Sequence, residues 1–553
     1  VLFRSAQIFV PLGSISITGQ TAISANGTGG SATFAGAGQG GNANIAINGP
    51  GSVTLSNDVF LSSLGTGGAS LFGTGNTGTS GTGTGGDARI VATGNGAFSL
   101  TGNAYLYANG AGGNSDGAGA GNGIAGTTSI SQNTGGSIDI NGSAQLYAVG
   151  RGGAINSGGT GSGGNGTGGD VRIAVNDAGG IDISGDTYLY ADAYGGDSFA
   201  NGITIGGGNA TAGLTNLGSA GGVLNIGGTA YLTSSAYGGY AFNTGFGGSA
   251  TAGQALVGAI DSGATINIGG PASLYAIATG GSGTGAGTGG AATGGTAQFF
   301  ATDGAVNVAL DVYAAAAANG GTAEDGNGGA ALGGFASIRA SGTGRVRLAT
   351  TSGSVAMYTT TAGGSTTGAG NGGDATGGYA QAFSSESGLI QMGTGSAQAV
   401  FFGDAVGGSS SGSGNGGNAI AGTAELYVTG GSITAPNVTL VGSATGGSGV
   451  NGGDALNPVE PGARTVLMTA QQGSIIITGN SVLNATAQGG DGMNGGTGGD
   501  AYAGSILIDA ITSPTGSSSL IQLGAVNAYS AGLDRKSTRL NSSHRCISYA
   551  VFC

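Results

Sequence analysis

The chain has 553 residues, of which 132 are Gly and only 7% are charged, with a formal net charge of −13. Its single Lys (Lys536), single His (His544) and both Cys (Cys546 and Cys553) lie in the last twenty residues. The rest therefore lacks the imidazole or thiol of nucleophile pairs and zinc sites, and the Lys of a phosphate loop. An acidic chain with few Arg also argues against a nucleic-acid partner, which requires a basic surface.

The first five residues, Val1-Leu2-Phe3-Arg4-Ser5, resemble translated sequencing-adapter sequence and are set apart from the fold. From residue 6 onward the chain repeats. A strand-like apolar anchor is followed six residues later by a Gly-Gly pair at Ile23, Leu61, Leu106, Leu146, Leu189, Leu232, Leu274, Ala314, Met357, Phe401, Leu440 and Leu483, with anchors 38 to 45 residues apart. Ala314 is the weakest of them. A fixed period of this size means that each unit buries its apolar face only by stacking on its neighbours.

Within a unit, a short alternating run such as Ser137-Ile138-Asp139-Ile140 precedes Ala144-Gln145-Leu146-Tyr147-Ala148, then a stretch of Gly, Ser, Thr and Asn, then a third run such as Asp170-Val171-Arg172-Ile173-Ala174-Val175. Period-two alternation with Gly at the breaks reads as strands, and no window holds a helical period. The expected fold is all-β: one parallel β-helix (β-solenoid) over residues 6–533, about 12 repeats of about 42 residues with long Gly-rich loops. On the middle strand Leu189, Ala191 and Ala193 share one face, and Tyr188, Tyr190 and Asp192 the other. One coil per repeat implies a rod on the order of 60 Å long and two coils would double it; the sequence does not choose. Loops such as residues 280–290 are expected to be either mobile or extended in polyglycine-like fashion.

Matches to GxGxxG abound because Gly abounds, and none opens a helix, so these glycines read as turn residues. Carboxylates remain for chemistry. Asp182, Asp186, Asp192 and Asp197, with Arg345 and Arg347, are the candidates for a carbohydrate-active site; the plainer reading is solvated outer-face charge.

A second Gly-Gly is often followed by Asn or Asp, at Asn42, Asp87, Asp170, Asn209, Asp374, Asn418, Asp454 and Asp500, which predicts one stacked column. These side chains either hydrogen-bond their own backbone to start the next strand, or hold calcium between neighbouring carboxylates at Asp87, Asp170, Asp374, Asp454 and Asp500. A second column is aromatic: Tyr107, Tyr147, Tyr190, Tyr275 and Tyr358, with Phe402, each one residue after an anchor. It reads as packing with phenol tips in water, or as a carbohydrate-binding stripe, which the interruptions at Thr233 and Ala315 weaken.

Residues 534–553 contain no Gly, and Asp-Arg-Lys-Ser-Thr-Arg-Leu-Asn-Ser-Ser-His at 534–544 again resembles translated adapter sequence. Residues 6–533 are accordingly expected to be a fragment of a larger repeat region. Within them no apolar run is long enough to span a bilayer.

Strands of the type Ser-Ile-x-Ile and Ala-x-Leu-Tyr-Ala, joined by Gly-Thr-Gly-Gly-Asp-Ala, resemble the passenger regions of filamentous-haemagglutinin-like and autotransporter adhesins. The resemblance implies export through an outer-membrane β-barrel translocator, display or release as a right-handed parallel β-helix, and attachment to surface glycans or to host or bacterial surface proteins. The lack of Cys before residue 546 suits an oxidising route. On this reading the protein is not an enzyme. The alternatives are a polysaccharide lyase or hydrolase built on a β-helix, and a passive Gly-rich surface-layer protein.

Overall fold

A computed structural model of the chain describes residues 5–71, 78–200, 205–242, 244–456, 464–511 and 518–534. The segments 1–4 and 535–553, which carry most of the adapter-like sequence, lie outside the described residues. Of the two that border them, Ser5 pairs with Asn42 and Asp534 Oδ1 accepts the Ala501 N–H at 2.8 Å.

Among the described residues there are 61 strands and no helix, hence none that could cross a membrane as one. Five strand positions recur in each of the first eleven coils, for example Asp87–Thr93, Ala97–Leu100, Ala104–Tyr107, Gly110–Ala111 and Gly123–Ile124, before the cycle restarts at Thr127–Asn133; in the last two coils the short strands merge, as in Ser474–Asn484. We call them the long strand, the first and second short strands, and the outgoing and returning arm strands. Every equivalent position pairs in parallel with the next coil: Ile90 lies opposite Ile130, Leu106 opposite Leu146 and Gly110 opposite Gly150. One repeat is therefore one coil. The long strands form a 13-stranded sheet, a stack of about 60 Å at the usual inter-strand spacing of about 4.8 Å.

The long strand and two short strands enclose the core. Alternation places Ile90, Ala92, Leu100 and Leu106 inside with no exposure, because successive residues of a strand point to opposite faces. All twelve anchors are buried, Ile23 being the most exposed at 8%. Ala314 is no exception, since Val312, two residues before it on the same face, supplies the missing bulk. The corner between the long and first short strands often adopts a left-handed conformation, as at Gly49 (φ 88°), Gly94 (63°), Gly135 (80°) and Gly221 (98°), which explains why glycine recurs there.

The segments expected as loops form ordered structure instead. Outgoing and returning arm strands lie in two narrow parallel sheets of 13 and 11 strands, in backbone contact where both carry Gly and, in later coils, packed through small buried side chains such as Ala405, Ala419 and Ala444. A Cβ added at Gly38 would meet Thr66 O at 1.9 Å, and one at Gly112 would meet Gly121 O at 1.9 Å. A zigzag of hydrogen bonds crosses between the sheets: Gly113 N–H donates to Gly81 O (3.0 Å), Gly121 to Gly113 (2.9 Å), Gly153 to Gly121 (2.9 Å) and Gly164 to Gly153 (2.9 Å), with the same links continuing to Gly499 and Gly490 (2.9 Å). Residues 280–290 are ordered but not extended throughout: they reverse through a turn at Gly285 (φ 54°), with Gly281 bonded to Gly248 and Gly290 to Gly281, both at 2.8 Å. Satisfying these buried backbone groups offsets the entropy lost in ordering glycine.

Candidate functional site

The outer face of the second short strand carries an unbroken aromatic column over eight successive coils. Its rings are Tyr107, Tyr147, Tyr190, Tyr231, Tyr275, Tyr313, Tyr358 and Phe402, with neighbouring centroids 4.7 to 5.8 Å apart. The expected interruptions are absent. Tyr231 and Tyr313 stand two residues before Thr233 and Ala315, on the same outward face, and lean into the gaps. An aromatic at either of two alternate positions was the signal to look for.

At the two ends of the column the rings lie nearly parallel, at 11° and 0° for Tyr107–Tyr147–Tyr190 and 4° for Tyr358–Phe402; between them they tilt by 32° to 44°. Stacking of this kind covers ring faces with other rings, leaving edges and phenol tips to solvent. The faces on which a sugar would stack are thus largely occupied. Partial burial raises the Tyr107, Tyr147, Tyr231 and Tyr313 phenols, and desolvation reinforced by neighbouring phenols pushes Tyr190 up to about 12. A shorter stack lies on the outgoing arm, where the Arg151 guanidinium sits 4.4 Å over Tyr194, which stacks on Tyr237 at 5.1 Å.

Beside the aromatic column, the first short strand carries an amide ladder that the sequence reading missed. Asn225 Nδ2 donates to Asp182 Oδ1 (2.5 Å), Asn267 to Asn225 (2.8 Å) and Asn307 to Asn267 (3.0 Å). Burial and the Asp182 carboxylate raise the neighbouring Asp139 carboxyl. Arg345 and Arg347 continue this outer face in the next coil, Arg347 opposite Asn307.

The single Asx column is two columns. Asn42, Asp87 and Asp170 begin long strands, with Thr127 between Asp87 and Asp170. Asn209, Asp374, Asn418, Asp454 and Asp500 instead lead into the returning arm. Nor do they mainly bond their own backbone: Asp374 Oδ1 accepts the Asn418 N–H (2.7 Å), Asn418 that of Asp454 (2.8 Å) and Asp454 that of Asp500 (2.9 Å), each one coil on. A parallel ladder three residues earlier runs Asn327, Asn371, Asn415 and Asn451, and the two line a shallow groove of about 480 Å³.

Of the five carboxylates considered for calcium, Asp87 and Asp170 pair with Arg89 and Arg172 at 3.0 Å. Asn418 separates Asp374 from Asp454, which leaves Asp454 and Asp500 as the one pair of these in adjacent coils. Among the described residues no three His, Cys, Asp or Glu gather closely enough to form a metal group.

The acid-rich coil disperses its carboxylates. Asp182 belongs to the amide ladder, while Asp186 accepts the Thr229 N–H (2.7 Å) and the Tyr188 hydroxyl (3.2 Å). Asp192, buried at 7% exposure, accepts the Thr233 hydroxyl (2.7 Å) and the Ser235 N–H (2.8 Å), and Asp197 accepts the Tyr240 N–H (2.8 Å). Desolvation raises the Asp192 carboxyl, opposed by those two bonds and by Arg151. Apart from the Tyr188 hydroxyl bond within the coil, these bonds tie one coil to the next, so the arrangement joins coils instead of converging on a reacting atom. Comparison with protein-family models, curated proteins and solved structures finds no match to the chain.

Proposed function

We propose that this chain is the rod of a secreted or cell-surface bacterial exoprotein of the adhesin type, exported through an outer-membrane β-barrel translocator and presenting a repeated lateral surface for attachment. The observation that supports this reading is uniformity. Coil after coil keeps the same strand positions in register, and polar side chains on the outside repeat as ladders running along the stack. Such a surface repeats similar contacts about every 4.8 Å. Individually weak contacts to surface glycans or surface proteins then add through effective concentration. With the aromatic faces covered, recognition falls to ring edges and the amide ladders. The family resemblance of the strand and loop motifs points the same way.

The test is attachment as a function of length. Beads bearing the chain, or versions shortened by whole coils such as residues 127–169, are presented to bacterial and host cells, and detachment force is measured. Force should fall stepwise with each coil removed. Loss of all attachment on removing one particular coil would replace the multivalent reading with a local site, and attachment independent of length would refute it.

A further inference from the structure

Tyr107, Tyr147 and Tyr190 occupy one register position in three successive coils. Their ring centroids are 5.1 and 4.7 Å apart and their planes are inclined by only 11° and 0°. All three are partly exposed, so small oxidants reach their edges. The Tyr147 hydroxyl donates to Gln145 Oε1 at 3.1 Å, which orients the phenol O–H along the outer face. The chain has no Trp to act as a competing sink for an oxidising equivalent.

We infer that this stack is a site of oxidative modification, at which a peroxide-driven one-electron oxidant couples Tyr147 to Tyr190 as dityrosine and so makes a covalent rung between adjacent coils. Each phenol gives up one electron to the oxidant and one proton to water. The two phenoxyl radicals join through the ring carbons ortho to oxygen, and each ortho hydrogen then moves to its oxygen to restore the aromatic ring. The two electrons and two protons released reduce one hydrogen peroxide to two waters. These phenols are protonated at neutral pH, as tyrosines ordinarily are, so electron and proton leave together. Radical coupling is limited by encounter, and parallel in-register strands replace encounter with a fixed neighbour, the effect that gives intramolecular reactions their high effective molarity. Rotation of the two outward-pointing side chains closes the remaining gap. The tilted pair Tyr190–Tyr231, at 5.8 Å and 44°, is the poorer partner.

The experiment treats the full chain, dilute, with a haem peroxidase and hydrogen peroxide, and follows dityrosine fluorescence, intact mass and the cross-linked peptides. The expected product is a monomer lighter by two hydrogens whose cross-link joins Tyr190 to Tyr147, or Tyr147 to Tyr107. Tyr147→Phe keeps the ring stack but removes the central phenol, and should lower the yield several-fold, leaving a residue at Tyr194–Tyr237, the other stacked phenol pair among the described residues. Tyr379→Phe should leave the yield unchanged: Tyr379 is 54% exposed but lies between Phe335 and Thr423 in register. Cross-links spread over exposed tyrosines such as Tyr379 and Tyr529, coupling between chains, or the same yield and map from the urea-unfolded chain would overturn the inference.

Discussion

Around Leu106 the space between sheets is filled by side chains; around Gly113 the two sheets touch through backbone alone. Both regions belong to one coil and share the same parallel register. In the core, apolar burial contributes about 25 cal/mol per Å² and adjusts to the residues supplied, Leu in one coil, Phe or Met in another. In the arm, cohesion comes from hydrogen bonds between sheets that at the glycines lie too close for a Cβ, joined in later coils by small buried alanines such as Ala405 and Ala419. The core thus depends on large side chains, and the arm on small ones, chiefly Gly and Ala.

The largest expected effect is in the core. Phe401, fully buried, leaves a cavity when changed to Ala, and Phe401→Ala should destabilise the stack by about 3–5 kcal/mol, read from the urea midpoint; a loss below about 1 kcal/mol would mean that the coil collapses freely.

Next comes the same alanine placed in the arm. Gly112→Ala puts Cβ 1.9 Å from Gly121 O and should cost about 1–3 kcal/mol through forced separation of the sheets, whereas Gly30, with nothing within 4 Å, should accept Ala within about 0.5 kcal/mol. Equal responses at the two sites would show that the arm is not closely packed.

A smaller effect separates the halves by pH. The tyrosine column clads the core, and the Tyr190 phenol is pushed from 10.0 to about 12 in the fold. Its contribution is fully present below the unfolded value and is lost as pH rises through the folded one, because the unfolded phenol ionises first. Stability should therefore decline between about pH 10 and pH 12, and Tyr190→Phe should make the slope shallower in thermal melts; an unchanged slope would assign the decline elsewhere.

The smallest effect is a null one. With Asp87 and Asp170 in ion pairs and the arm carboxylates accepting backbone N–H groups, added calcium should leave the melting temperature unmoved. A calcium-dependent rise would make Asp454 and Asp500 the first residues to substitute.

The core half was legible because its rule is additive: anchors such as Leu146 and Leu189 announce themselves by apolar character and spacing, and alternation assigns Tyr190 to the outside. One coil or two per repeat stayed open because arm strands are two residues long, too short to show a period. The arm was hidden for a further reason. Glycine in a packed sheet and glycine in a mobile loop look alike in sequence, since both lack a side chain to declare a face. Length variation within the arm likewise merged the Asp87 and Asp374 positions, which follow identical Gly-Gly pairs but start different strands. The break at Thr233 closed only in three dimensions, where Tyr231 reaches across.

The zigzag of arm hydrogen bonds has a direction. In every link the later glycine donates to the earlier one, so within this chain of bonds each coil turns an N–H toward its predecessor and a carbonyl toward its successor. A finished coil is thus a template with its acceptor already oriented, and the next coil is laid on it like a tooth engaging a ratchet. A polypeptide emerging from its N-terminal end would find a docking place ready for each new repeat, and retreat would require breaking the bond just made.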